Sequence, residues 1–389
     1  MWELQRDASG RFVPNAFRAE VDMGAPLLDV KWSPWEPTKV YAVGCNKMLK
    51  AWDVTTNQCL DICQVRAFLV LFCARFLRCC PARPCTPSHA PSRTPSRTPP
   101  PNFPPSLQPC PSLHTEPIAC VHLTMMGQGG STPTIITAGW DKTLNFWDAR
   151  QPGPALTSVA LPERVFCMDV RGTDMVLCTA PEQTPQGMAS RVHIFDLRNH
   201  ASPQRSIPSP LKYQSRTVRI FADNQLYALG SIEGRCRINA LRAADDEARQ
   251  VGDTHPQGPR PLAFAFRCHR DGKLVYPVNA MDCFPSPDPL RSPVFATAGS
   301  DGIVSLWNRR ERQKVKDVSV DPSGSLPGPE QQTIKLRTPV TDVKFNNDGS
   351  LLAYSVSYDW SRGPENYDKS QPPYIYLKNL NADYLTVKK

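Results

Sequence analysis

A ring of repeated four-stranded antiparallel sheets, all-β throughout, is the fold class this 389-residue sequence predicts, and three observations predict it. The first is a unit of four short apolar or alternating runs separated by polar or Gly/Pro turns: IACVHL (118–123), TIITAGWD (134–141), TLNFWDAR (143–150) and ALTSVAL (155–161). The second is its recurrence. LLDVKW, KVYAVGC, MLKAWDV and QCLDIC (27–63) form one copy; VFCMDV, MVLCTA and RVHIFDLR (165–198) and TVRIFA, LYALGSI and GRCRINAL (217–241) read as two more. VNAMDCF, VFATAGSD, IVSLWNRR and KVKDVSV (278–320), then VTDVKF, LLAYSVS and YIYLKNL (340–380), complete the series. The third is the period: Trp147 and its equivalent Phe195 are 48 residues apart, and Trp52 and Trp147 are 95 apart, or 47 without a 48-residue insert.

That unit and period belong to the blades of a WD-repeat β-propeller. Trp2-Glu3-Leu4 reads as the end of a third strand, with a turn around Ser9-Gly10 and a fourth strand near 17–21. The expectation is a seven-bladed parent with its first blade truncated and six full blades visible. Residues 1–65 then hold the remnant and the second blade, 66–113 an insert, and 114–389 the remaining blades. An open ring leaves sheet edges and one apolar blade face exposed, which promotes aggregation.

The motif residues read as architectural. Asp141 and Asp301 are expected to fix the turn between second and third strands by accepting backbone amides. Trp52, Trp147 and Trp307 end third strands and wedge between blades, with Asp53 and Asp148 closing the motif. Phe195-Asp196, Trp307-Asn308 and Asn239 are degenerate copies.

Composition narrows the partners. The net charge is +9, but residues 66–113 carry six arginines and no acid, so the rest of the chain is close to balanced and no dedicated nucleic-acid surface is indicated. Between Pro81 and Pro111 lie 12 prolines in 31 residues, a composition that reads as disordered or polyproline-like. A natural loop phosphorylated at Thr94 and Thr98 and a translated intron both fit this insert; its sharp compositional edges favour the intron. The apolar run at 67–77 is about half the ~20 residues a membrane helix needs and contains Arg75, so no membrane span is expected. The fourteen cysteines read as reduced thiols, and Cys268-His269 is a lone pair without zinc spacing.

SPLKYQSRTVRIF (209–221), LYALGSIEGR (226–235), FAFRCHR (264–270), YPVNAMDCF (276–284), ATAGSDGIVSLWN (296–308) and SYDWSRG (357–363), with LPERVFCMDV (161–170), resemble the Rae-one/Gle-two family of mRNA-export propellers at the nuclear pore. The Bub-three spindle-checkpoint family is similar in KYQSR, SIEGR and YPVNA; SYDWSRG and LPERVFC favour the export family. The resemblance implies a non-enzymatic scaffold, monomeric within a hetero-complex, without cofactor, in the nucleus, at the pore and in the cytoplasm. Its implied partner is a nucleoporin carrying a short acidic-containing motif, or checkpoint kinases in the alternative; it also implies RNA or mRNP contact, which the nearly neutral core does not itself supply. By motif position the peptide-binding residues are Arg216 and Arg235, whose planar forks suit a carboxylate, with Lys212 as a weaker candidate. Trp140, in the turn before Asp141, is positioned to stack on a partner or pack on the adjacent turn.

Enzymatic motifs are missing: no Gly-rich phosphate loop, G-x-S-x-G or H-E-x-x-H occurs. His269, Asp282 and Asp288 fall on different strands or loops. A propeller hydrolase needs acids or histidines along its axis, and TIITAG and VFATAG, taken as the axial strands, offer small and β-branched residues.

Overall fold

The computed structural model describes residues 2–6, 12–17, 22, 24–62, 113–150, 153–184, 187–246, 259–285, 293–319, 338–368, 373–381 and 384. Strands β1 (Trp2–Arg6) and β2 (Phe12–Phe17) pair with each other. Blade 1 is β3 (Leu27–Trp32), β4 (Lys39–Gly44), β5 (Leu49–Asp53) and β6 (Gln58–Asp61), and blade 2 is β7 (Ile118–Met126), β8 (Thr132–Gly139), β9 (Thr143–Asp148) and β10 (Thr157–Ala160). Blade 3 consists of β11 (Val165–Arg171), β12 (Asp174–Thr179), β15 (Arg191–Asp196) and β16 (Arg205–Pro208), with a separate hairpin, β13 (Glu182–Thr184) and β14 (Gly187–Ala189), between its second and third strands. Blade 4 is β17 (Ser215–Ile220), β18 (Leu226–Ser231), β19 (Arg235–Ala240) and β20 (Phe264–Arg267), followed by the small hairpin β21 (Arg270–Asp271) and β22 (Leu274–Val275). Blade 5 is β23 (Val278–Cys283), β24 (Val294–Gly299), β25 (Ile303–Asn308) and β26 (Gln313–Ser319); blade 6 has β27 (Val340–Phe345), β28 (Leu351–Val356) and β29 (Tyr374–Asn379).

The β-propeller arrangement and its six blades match the sequence reading. Blades 3 and 4 gain the fourth strands β16 and β20, which that reading omitted. The strand expected near 17–21 lies earlier, as β2; residues 18–21, the Ser9-Gly10 turn, the 67–77 run and all of 66–112 fall outside the described residues. Among the described residues no helix is long and apolar enough to cross a membrane.

First strands touch first strands around the ring: β3 on β7, then β11, β17, β23 and β27. This corrects the expected axis lining. TIITAG and VFATAG belong to second strands, β8 and β24, which are buried between blades and therefore run without polar alternation. At matching register the innermost strands carry Lys31, His122, Asp169, Arg219, Asp282 and Lys344, joined by Asp29 and Asp342.

These charges are mutually engaged. Arg219 lies 3.7 Å from Asp169 and 3.4 Å from Asp282, and Lys344 lies 3.7 Å from Asp282. Asp29 accepts the Val121 amide (3.0 Å), Asp169 the Ile220 amide (2.7 Å) and Asp282 the Phe345 amide (2.9 Å), each carboxylate reaching into the following blade. Burial pushes the His122 imidazole well below its usual value and raises the Asp169 carboxyl despite Arg219 beside it. Burial also lowers the Arg219 guanidinium, but Asp169, Asp282, Asp342 and Asp29 outweigh it and hold the group above its usual value. The carboxylates at the axis thus join blades.

Every innermost strand also has a register shift at its second residue. Leu28, Ala119, Phe166, Arg216, Asn279 and Thr341 are each skipped in the pairing with the neighbouring strand. A bulge of this kind releases one side chain from the alternation and re-aims it. Six blades therefore present six bulged residues at the same end of the innermost strands.

Blade faces pack through the middle of those strands. Val121, Met168, Val218, Met281 and Val343 are at most 2% exposed, each against the blade before it. Val30, at the equivalent place in blade 1, is 53% exposed, and Leu28 and Trp32 are exposed as well. Ile375 on β29 is also exposed, and among the described residues no strand pairs with the outer edge of β29.

Candidate functional site

Asp141 does more than fix its turn. It accepts the Thr115 amide (2.9 Å), the Thr143 amide (3.1 Å) and the Thr143 hydroxyl (2.7 Å), and lies 2.8 Å from His114 Nδ1. His114 Nε2 is 2.8 Å from Thr137 Oγ1, which accepts Trp147 Nε1 at 2.8 Å. The Thr137 hydroxyl hydrogen is thereby directed to Nε2, leaving the Nδ1 hydrogen for Asp141. Burial raises the Asp141 carboxyl, but the hydrogen bonds from His114, Thr143 and Thr115 outweigh it and hold it below its usual value.

Blade 5 repeats the constellation: His269 Nδ1 to Asp301 (2.9 Å), His269 Nε2 to Thr297 (2.8 Å) and Trp307 Nε1 to Thr297 (2.9 Å). The glycine of each motif is now explained. A Cβ on Gly139 would meet His114 Nδ1 at 2.7 Å, and one on Gly299 would press closer still on His269. Sequence reasoning missed His114, His269, Thr137 and Thr297. The available signal was a histidine ahead of the innermost strand in the two blades that also have Gly-x-Asp and a third-strand Trp. His269 is accordingly neither a lone Cys-His pair nor a partner of Asp282, which lies in the channel; Asp288 is outside the described residues. Among the described residues no group of three His, Cys, Asp or Glu side chains is placed to hold a metal.

Trp147 and Trp307 wedge between blades as expected, whereas Trp52 packs on Val40, Ala42 and Val54 of its own blade. Trp147 is 1% exposed among Tyr41, Val43, Leu49 and Ile62 of the preceding blade, and half-buried Trp307 lies against the blade 4 cluster. Trp52 is buried and donates to Asn57 at 3.1 Å. Asp53 and Asp148 stand at the other end of the third strand, where they accept the Thr55 and Arg150 amides and close the next turn.

Because the strands alternate direction, the start of each innermost strand shares one rim with the turn between strands two and three and with the incoming connection. On the rim of blade 4 this gathers Lys212, Arg216 and Arg235. Lys212 is exposed, its Nζ 5.5 Å from the centre of the exposed Tyr213 ring. Arg216, the bulged residue, is half-buried and donates to Asn279 Oδ1 at 2.8 Å. Arg235 opens β19, with Nε 3.6 Å from Glu233 and its side chain 39% exposed. Trp140 is 40% exposed on the same rim but in blade 2, its amide tied to the Pro117 carbonyl. Exposed Ile232, Trp360 and Tyr367 in rim loops and Met188 in the β13–β14 hairpin, none singled out from sequence, lie there too.

Asn279 carries the network onward, donating to Ser300 (3.0 Å) and to the Val340 carbonyl (2.9 Å), while Ser300 bonds Asp359. Burial raises the Asp359 carboxyl, but Ser300, Ser361 and the nearby Arg216 charge outweigh it and hold it below its usual value. These groups border a rim cleft of about 420 Å³ between blades 5 and 6, lined by Tyr276, Ser300, Pro339, Tyr358, Asp359 and Arg362. Beside it Trp360 stacks on Tyr367 with ring centres 5.0 Å apart. The rim is thus cationic at blade 4 and aromatic at blade 6.

No protein-family model matches the chain. It is 29% identical over 388 residues to Protein Rae1 of Drosophila melanogaster, covering 97% of this chain and 83% of the fly protein. It is 32% identical over 389 residues to the mRNA export factor of Danio rerio, covering 97% of this chain and 78% of the fish protein. To mRNA export factor GLE2 of Chaetomium thermophilum it is 32% identical over 275 residues, 69% of this chain and 64% of the fungal protein. None of the three bears an enzyme's name. Repeated sheets, inter-blade tryptophans and the Asp-His-Thr-Trp chains define a WD-repeat β-propeller. Within that class, the chain belongs to the Rae1/GLE2 family.

Proposed function

We propose that this propeller is a non-enzymatic scaffold in mRNA export that captures a short acidic-containing peptide of a nucleoporin across the rim of blades 4 to 6. The observation that carries the reading is the bulge at Arg216, which turns a guanidinium out of the β17 ladder toward the channel mouth beside exposed Lys212 and Tyr213 and half-buried Arg235. A peptide glutamate meets Arg216 and Arg235, with Lys212 adding charge and Trp360 taking an apolar residue; Trp140, in blade 2, would serve a peptide that continues along the rim beyond these blades. The export role follows the names of the relatives, and a nuclear and pore-associated location follows from that role. The propeller acts as one copy in a hetero-complex, without cofactor.

The test is capture of an immobilised nucleoporin-type peptide with glutamate at its centre, beside a checkpoint-kinase peptide and a Glu→Gln version. Selective capture of the nucleoporin peptide that is lost with Arg216→Glu supports the reading. Equal capture of the Glu→Gln peptide overturns the carboxylate role, and preference for the kinase peptide overturns the export assignment.

A further inference from the structure

Cys236 and Cys268 meet at the boundary of blades 4 and 5. Cys236 is the second residue of β19 and Cys268 follows β20, its amide donating to the Gly234 carbonyl at 3.0 Å. Arg235 pairs with Arg267 and Cys236 with Phe266, so the two cysteines are diagonal neighbours on one face of the sheet. Their sulfurs are 3.5 Å apart, with Met281 Sδ 3.7 Å from Cys236 on the far side. Cys236 is sealed, whereas Cys268, 5% exposed, lines a cleft of about 300 Å³ shared with Arg267, Arg270, Trp307 and Lys314. One thiol therefore borders a path for a small molecule and the second stands directly behind it.

We propose that Cys268 and Cys236 form an oxidation site at which a hydroperoxide is reduced and a reversible disulfide ties β19 to the end of β20. The Cys268 sulfur, having given up its proton, attacks one oxygen of hydrogen peroxide; the O–O bond breaks, an S–OH group forms, and the leaving hydroxide takes that proton to become water. The Cys236 sulfur then attacks the Cys268 sulfur. The S–S bond forms, the S–O bond breaks, and the departing hydroxide takes the Cys236 proton to become a second water. Two thiols are oxidised by two electrons and one peroxide is reduced to two waters. Forming the disulfide closes the sulfurs from 3.5 Å to ~2.05 Å across the diagonal pair. The bridge fastens the strand of Arg235 to the neighbour of His269, so the rim of blade 4 stiffens when oxidised.

The test treats the folded full chain with hydrogen peroxide and maps cysteines by mass spectrometry, the exposed Cys45 and Cys59 serving as internal standards. The expected result is a Cys236–Cys268 linked peptide lighter by two hydrogens, lost on treatment with a thiol reductant. In Cys236→Val the resolving thiol is gone, and Cys268 is instead trapped by dimedone as its sulfenic acid. Both thiols remaining free while Cys45 and Cys59 are oxidised would overturn the proposal. Linkage of either to another cysteine, or oxidation of Cys268 in the unsubstituted chain without linkage to Cys236, does the same.

Discussion

Arg216 donates to Asn279 at 2.8 Å across the boundary of blades 4 and 5, and both are the bulged second residues of their innermost strands. The bond exists because each bulge rotates its side chain out of its own sheet and toward the axis mouth. Asn279 in turn reaches the blade 6 backbone at Val340, so three blades are stitched at the point where a ligand's carboxylate would arrive.

Replacing Arg216 by Gln keeps a donor for Asn279 and removes the charge. Peptide capture is expected to weaken about tenfold or more, from loss of a charge-assisted bond worth about 1.5–3 kcal/mol, while the melting temperature stays within error. Titration of both proteins against the glutamate peptide checks it. A fall in melting temperature with unchanged affinity would assign Arg216 to blade stitching alone.

Asp141→Asn should cost about 1–3 kcal/mol at neutral pH, since it leaves His114 and two amides with a poorer acceptor. The Asp141 carboxyl lies below its unfolded value, so its charge stabilises the fold above about pH 4 and that contribution fades as pH falls through the folded value. Urea melts of both proteins from pH 7 to pH 3 should therefore converge toward acid.

Trp147→Ala should destabilise by about 3–5 kcal/mol, because a fully buried indole is lost from the blade 1–2 interface together with its bond to Thr137. Trp307→Ala, from a half-buried position, should cost less. Denaturant midpoints of the two variants test the ordering.

Val30→Lys and Val343→Lys are the same substitution at equivalent register. The first adds charge to an exposed apolar strip and should reduce light scattering without lowering stability; the second buries a cation at a sealed interface and should prevent folding. Scattering and circular dichroism on the two variants distinguish them.

Removing residues 66–112, which spares Leu113 on the blade 1–2 core, should leave the melting temperature and peptide capture intact. Blades 1 and 2 already pack through Tyr41, Ile62, Ile118 and Val121, and Gly153 donates to the Ile62 carbonyl across the same boundary. Loss of cooperative unfolding in the deletion would show the segment to be part of the packing.

The strands were legible because their patterns are local: LLDVKW by alternation and VFATAG by a continuous run each announce an element within six residues. The Asp-His-Thr-Trp chains were not, because His114 is 27 residues from Asp141 and His269 is 32 from Asp301, distances that only a folded sheet closes. Which strand faces the axis is likewise a property of ring closure, and so TIITAG was misplaced and Arg219 with its carboxylates overlooked. Arg216 could be marked by resemblance, yet its mobilising feature, a slipped register against Ser231 and Gly230, is written in the pairing rather than in either strand.

A side chain released from the ladder six times over frees the mouth of the propeller from the demands of the sheet. Leu28, Ala119, Phe166, Arg216, Asn279 and Thr341 stand outside the cross-strand register, so a new residue at any of them leaves the strand pairing as it is, and the mouth works as a six-digit combination lock on a fixed frame.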